Sequence, residues 1–503
     1  MPALIILLCA AARSETYDMF SVGMISTKTE MTNPLYTEER EIKSVFALMY
    51  ESLIVMDDDY MPQAKLAESW NCDNNAKTWT FRIRRGVTFH DGTPMTAYDA
   101  AATINEILRL AEEGQGQYAN LKYMVKSCMA TDEYTLIVTA ARTSYELLFA
   151  MTFPILPRDQ LNYRNPAGTG PYYLQGFAPR DYIYLTANDN WWQAPPLIRQ
   201  INVVLFNTNK DLINAYEYNR LDAIVTRSSS ASQYSRSGTT MSMTYRTQQL
   251  ETLMVNRHSF PLTDEAVRKA LRLAINPDVI VSSAYQDMAD RTDTPLHQGT
   301  WMYQGSDTAY RYDPEEARRI LEEDGWMDMD NDGMLNKIID GKVRNLHVQL
   351  YVYEEQDNSV RVSAAGQIAN MLESVGFGVK ITTGTFQEAG SKLSAGSYDL
   401  CLAAFQMDPV PDPGFLLMRN NTCNYSRYSS TQMDDLFKRL RTAPDYTTFR
   451  STLYEIQDLF AKDQPFICLY YRTGAVLTRR MYTTARDIRE TEIFRGIESY
   501  GRQ

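Results

Sequence analysis

The sequence predicts an α/β protein built from several domains. Three observations carry this. Helical and strand periodicities alternate along the chain, an apolar fraction of 44% can fill packed interiors, and 503 residues exceed what one core organises. At roughly 150 residues per domain, two to four units are expected. The sequence carries no internal repeat and no low-complexity segment.

The elements follow in order. The apolar run Ala3 to Ala12 is too short to span a bilayer and precedes the polar Arg13, Ser14 and Glu15, so residues 1–17 read as a secretory leader. Cys9 adds a lipid-anchored alternative, although Leu8 stands where a lipidation motif takes a small residue. Residues 36–60 read as helical, with Val45, Phe46, Leu48 and Met49 on the apolar face, up to the turn Asp57-Asp58-Asp59. Trp79, Phe81 and Ile83 alternate with Thr80, Arg82 and Arg84, the period of a half-buried strand. His90, Asp91 and Gly92 supply turn chemistry, and Thr96 with Asp99 form a capping box for a helix over 98–113. A strand over 133–140 and a proline-marked loop over 154–166 lead to GTGPYYLQGF (168–177), a turn feeding a strand. Strands over 181–187 and 200–206 and a helix over 208–218 complete this half.

The third quarter becomes helix-rich. Asp264 caps a helix carrying Val267, Ala270, Leu271 and Ala274 at helical spacing. Asp313, Pro314, Glu315 and Glu316 supply the cap, the first-position proline and the acidic first turn of another, which stops at Gly325. A strand over 346–353, a helix over 360–375 and a strand over 379–383 follow. An apolar strand from Leu400 to Phe405 comes next, then helices over 431–441 and 447–462 and a strand from Phe466 to Tyr471.

Charge and motifs exclude several functions. The net charge of −12 argues against a nucleic-acid partner and favours cationic or neutral ligands. None of Cys72, Cys128, Cys401, Cys423 and Cys468 lies in a CxxC or zinc spacing. Cys401 and Cys468 sit in apolar strands and read as core, while Cys72 and Cys128 share a predicted domain and could pair in an exported chain. There are four histidines, and no H-E-x-x-H, G-x-S-x-G, phosphate-binding or dinucleotide-binding loop. The expectation is a protein that is not an enzyme, with no cofactor and no metal. The run Asp328 to Gly333 (DMDNDG) imitates the front of a calcium loop, but Ile339 stands where the bidentate glutamate belongs, so it reads as a polar turn. His90 and Asp91 read as turn formers. The most suggestive polar element is AAFQMDPVPDPGF (403–415), where an apolar strand runs into Asp408 and then into Pro409, Pro411 and Pro413, which no ladder can continue. A carboxylate at a strand end suits a cationic ligand group, although on the residues alone the opening of a turn is the plainer reading.

Together these segments resemble the family 5 bacterial extracellular solute-binding proteins, the peptide-binding receptors of ABC importers. The resemblance lies in LAESWNCDNNAKTWTFRIRRGVTFHDGTPMTAYDA (66–100), GTGPYYL (168–174), LMVNRHSFPLTDEAVRKALRLAINPDVI (253–280), YDPEEARRILEEDGWMDMDNDG (312–333), DPVPDP (408–413) and YSSTQMDDLFKRL (428–440), in the family's order. It implies an α/β fold of the periplasmic-binding-protein type II kind, with two lobes, a hinge and an accessory domain. Lobe I maps to 18–47, 163–256 and 474–503, the accessory domain to 48–162 and lobe II to 257–473.

The resemblance also implies a ligand lying extended between the lobes, its main chain paired by strand addition and its α-ammonium met by Asp408. Thr32 and Asn33 match the first-lobe edge beside the ligand, Phe405 and Gln406 flank the aspartate, and Tyr245 and Asn256 lie near the lobe crossing. Where some dipeptide binders place an arginine for the ligand's carboxylate, this chain has Glu354 and Glu355, which points to longer peptides. The implied partners are a peptide and a membrane permease, for an exported, periplasmic or cell-surface monomer. The alternatives are the same fold carrying an oligosaccharide or a nickel complex, a receptor for peptide signals, and a peptidase.

Overall fold

The computed structural model describes residues 19–500, apart from 38, 230, 235–238, 306–310, 356–358, 484 and 486. The leader segment and Cys9 lie outside the described residues.

Among the described residues, apolar and β-branched runs form a sheet of eleven strands, ten in one order and the short Ala289–Arg291 pairing off it with Ile467–Thr478. Gln200–Phe206 is typical: Ile201, Val203 and Leu205 are buried and alternate with half-buried neighbours, so both sheet faces are covered. The order starts at Gly378–Gly384, His347–Tyr353 and Leu400–Gln406, which run parallel. It continues through two long antiparallel strands, Met241–Val255 and Ile467–Thr478. It ends with Ala223–Thr226, Met19–Ile25, Gln200–Phe206, Tyr182–Ala187 and Tyr172–Ala178. The two long strands therefore belong to both halves. Their pairing slips between Arg246 and Leu250, the place where the strand neighbours change. An irregular register bends a sheet locally, so this is where the halves can turn against each other.

Helices cover the second half of the sheet. Glu265–Ala274, Pro314–Glu323 and Val360–Ser374 pack on Leu253, Val255, Leu350, Leu400 and Leu402. Thr431–Arg441 and Tyr446–Asp463 cover the other face with Phe437, Leu440, Phe449 and Ile456. Each fully buried side chain of this kind contributes about 1.5–3 kcal/mol. A separate antiparallel sheet, ordered Ala67–Cys72, Thr78–Ile83, Thr135–Ala140 and Val125–Asp132, carries the helix Ala97–Glu112, whose start has the expected Thr96–Asp99 capping box.

Four expectations change. The helix expected over 36–60 is Arg40–Met49, because Tyr50 turns extended and Ile54–Met56 enters a small hairpin. The strand over 133–140 is the second arm of a hairpin whose first arm is Val125–Asp132. The last strand runs on past Tyr471 to Thr478. Cys72 and Cys128 do not pair: Cys72 faces Trp79, Trp79 faces Val138 and Val138 faces Cys128, which sets them three strand spacings, roughly 14 Å, apart. Cys401 and Cys468 are buried, as core residues are.

His90 is part of this scaffold. Its ring accepts the Gly168 N–H at 3.2 Å and meets the Gly170 carbonyl at 3.0 Å, so two separate sequence landmarks form one joint. Burial pushes its imidazole down to about 4, which keeps the ring neutral. Gly168 and Gly170 are required by close approach: a Cβ on either would stand 2.0 Å from the Met49 oxygen or 2.5 Å from the Leu48 oxygen at the helix end. In the loop of Asp328, Asp330 and Asp332, Asp328 accepts the Gly333 N–H and Asp332 accepts that of Met334, so these carboxylates organise the turn.

Candidate ligand-binding site

The strand Leu400–Gln406 sets the site's geometry. Along one edge it pairs with Met241–Val255 from Leu400 through Gln406. Along the other, His347–Tyr353 accompanies it only from Leu400 to Leu402. Met407 donates its N–H to the Gln248 carbonyl at 2.8 Å, so by strand alternation the main chain of Ala404 faces the opposite side. Among the described residues, no strand pairs with that edge beyond Leu402.

Asp408 follows directly. One carboxylate oxygen accepts the Val410 N–H at 2.9 Å, and the other accepts the Asn120 side-chain amide at 2.9 Å. Asn120 belongs to the region of the four-stranded sheet, while Lys43, on the helix Arg40–Met49, acts on Asp408 by charge. Three regions of the chain meet here. Asp408 is open to water yet surrounded by protein, and burial pushes its carboxyl above the usual range. Its two hydrogen bonds work the other way, Asp412 adds to the rise and Lys43 opposes it. Both groups that donate to this carboxylate are neutral.

The other expected residues separate. Phe405 is buried, its ring against Phe415 and Tyr425, and the Gln406 amide meets Gln248 at 3.3 Å, so both stay beside Asp408. Thr32 is buried and donates its hydroxyl to Asn165 and its N–H to the Arg164 carbonyl. Asn33 is buried too, and its amide donates to the Leu161 and Tyr163 carbonyls while its oxygen accepts the Leu35 N–H. Their polar atoms fasten loops. Tyr245 packs its ring on Gly474 in the crossing strand. Asn256 caps a turn with the Gly396 and Tyr398 carbonyls, at the end of the sheet opposite to Asp408.

Sequence reasoning missed two charged clusters. Glu251, fully buried on a crossing strand, takes both amino groups of Arg361 at 2.6 Å and lies 3.1 Å from Arg472. Glu355 joins Arg361 at 3.1 Å and Arg472 at 3.0 Å, so the carboxylate expected near the ligand's far end is tied into the crossing strands. Burial works to raise the Glu355 carboxyl, but Arg472 and Arg361 hold it below its usual range. The second cluster joins the accessory region to the loop after Asp408. Glu146 accepts from Arg142, whose guanidinium also donates to the Arg441 carbonyl, and Arg441 in turn donates to Asp412. No sequence signal links residues so far apart.

The aromatic and imidazole groups are engaged elsewhere. Trp191 and Trp192 donate their indole N–H groups to Glu51, beneath Lys65 and Arg84. Trp301 stacks on Phe149 and donates to the Tyr60 carbonyl. His297 stacks on Tyr471 at 3.6 Å. His258, in the turn after Met241–Val255, and His347, at the start of its strand, lie at the end of the sheet away from Asp408.

A sheet shared by two halves through a pair of crossing strands, with a third region joined at the strand ends, is the fold of a two-lobed solute-binding protein of the type II periplasmic kind. The chain belongs to the bacterial extracellular solute-binding proteins, family 5, whose middle-region model matches residues 61–427. It is similar to the oligopeptide-binding protein AppA of Bacillus subtilis, with 22% identity over 90% of this chain and 85% of that protein. The structure of that AppA in complex with a nonapeptide covers 95% of this chain and 98% of its own at a TM-score of 0.70 and 20% identity. NikA from Brucella suis, solved with Fe(III)-EDTA, covers 94% of this chain and 98% of its own at a TM-score of 0.80 and 19% identity. Among the described residues, no helix is long and apolar enough to cross a membrane.

Proposed function

We propose that this protein captures extended peptides with a free amino terminus and delivers them to a membrane ABC permease. The observation that carries this is Asp408: a carboxylate held only by neutral donors among the described residues, at the end of a strand edge that, among the same residues, has no strand neighbour beyond Leu402. An extended peptide adds to such an edge through main-chain hydrogen bonds that do not read sequence, and its ammonium supplies the missing charge. The name of the AppA relative supports the same substrate class.

We take the lobes as the resemblance implies them, and place the turning point at the slipped register near Thr247–Gln249. Glu355 is held by Arg361 and Arg472, which supports a site that does not clamp a short peptide's carboxylate. The engaged tryptophans argue against sugar stacking, and the histidine placement against a nickel chelate at this carboxylate. The protein acts outside the cytoplasm as a monomer.

The test is calorimetric titration with peptides. Asp408→Ala is expected to weaken binding at least tenfold, since stranding a desolvated ammonium costs roughly 2–5 kcal/mol. Unchanged affinity would remove Asp408 from the site.

A further inference from the structure

We infer that Asn120, in the accessory region, is a positioning residue that makes Asp408 selective for a primary ammonium. The inference rests on the peptide reading above.

Asn120 lies on the short turn Ala119–Tyr123, between Tyr118, whose ring packs on Phe153 at 5.9 Å, and the buried Leu121. Lys122 ties the same turn to the Ala111 carbonyl on the neighbouring helix. The backbone carrying Asn120 is therefore anchored on both sides. Its amide reaches across to Asp408, which comes from a different sheet.

A carboxylate offers about four acceptor sites. Val410 takes one on the first oxygen and Asn120 takes one on the second, so two remain, one beside each donor. Both resident donors are neutral. Asn120 thus fixes the direction of the second oxygen without neutralising it. A lysine or arginine in its place would complete the ion pair within the protein and leave nothing for a ligand's charge. Of the resident charges, Asp412 repels, and the pull of Lys43 is weaker than that repulsion. An ammonium can donate to both remaining sites and supply the charge, whereas an acylated amine has one N–H and no charge. The accessory region thereby takes part in selecting the ligand.

The test uses the full-length protein, a random pentapeptide library with free amino termini and the same library N-acetylated, read by native mass spectrometry in competition. Wild type is expected to retain free-amino peptides over acetylated ones by about a hundredfold. Asn120→Ala is expected to cut that ratio about tenfold, with binding of acetylated peptides unchanged. Asn120→Lys is expected to remove the preference while leaving the unliganded protein's melting temperature near that of wild type. A structural role alone would lower both affinities in proportion. An intact ratio in both variants overturns the role of Asn120 and leaves the peptide reading standing. A wild type that retains neither library, or both equally, overturns that reading and this inference with it.

Discussion

Gly474 sits at the middle of a crossing strand opposite Tyr245, and its lack of a side chain lets the Tyr245 ring lie flat across the sheet. A Cβ there would stand 2.1 Å from the ring's Cζ, far inside contact distance. Gly474→Ala is expected to destabilise the protein by roughly 1–3 kcal/mol, as overpacking does. Adding Tyr245→Ala should recover part of that loss, because the two changes remove each other's clash. Urea unfolding of the single and double variants measures this, and simple additivity would count against the proposed clash. At the same scale, Thr32 and Asn33 show why residue type misleads: their polar groups suit a ligand, yet loop carbonyls and Asn165 already use them.

At the scale of elements, the loop from Asp408 to Pro413 faces two turns of the accessory region. One presents Asn120, and the other presents Glu146, which is 1% exposed. Burial and the facing Asp412 push the Glu146 carboxyl up to about 7, against the pull of Arg142 and Arg441. One of its oxygens has no hydrogen-bond partner among the described residues. The folded state holds a proton on Glu146 that the unfolded chain releases near its ordinary value of 4.5, so this group's contribution to stability falls as pH rises from about 4.5 to about 7. Glu146→Gln should therefore melt above wild type at pH 8, with the difference shrinking toward pH 5. Parallel melting curves at all pH values would show that Glu146 does not titrate in this window.

The whole molecule is a sheet divided by two strands and bridged by a third region. Trp301 marks that bridge. It lies in the loop after Ala289–Arg291, packs on Phe149 of the accessory region and on Tyr446, and donates to the Tyr60 carbonyl. Tyr145 adds a backbone bond to the Ala443 carbonyl at 2.8 Å. If peptide binding closes the lobes, acrylamide quenching of tryptophan fluorescence should fall when peptide is added, and Trp301→Phe should abolish most of that change. Quenching unaltered by peptide in wild type would mean that these contacts persist in the open form. At the crossing, Glu251 and Glu355 balance Arg361 and Arg472 within the protein. Such a pair is strongly destabilising when one partner is removed, by roughly 3–5 kcal/mol, so Glu251→Ala should lower the urea midpoint markedly.

The α/β character, the capping box at Thr96 and Asp99, the capped helices after Asp264 and Asp313 and the proline stop after Asp408 were determined locally. Caps, periodicity and turn residues act over a few positions, so the chain itself displays them. The crossing strands were not legible, because MSMTYRTQQLETLMV changes burial pattern where it passes from one half to the other. Nor were the partners of Asp408, Glu146 and Glu251. Asn120 lies 288 positions from Asp408 and Arg361 lies 110 from Glu251, and only the folded arrangement brings such groups together.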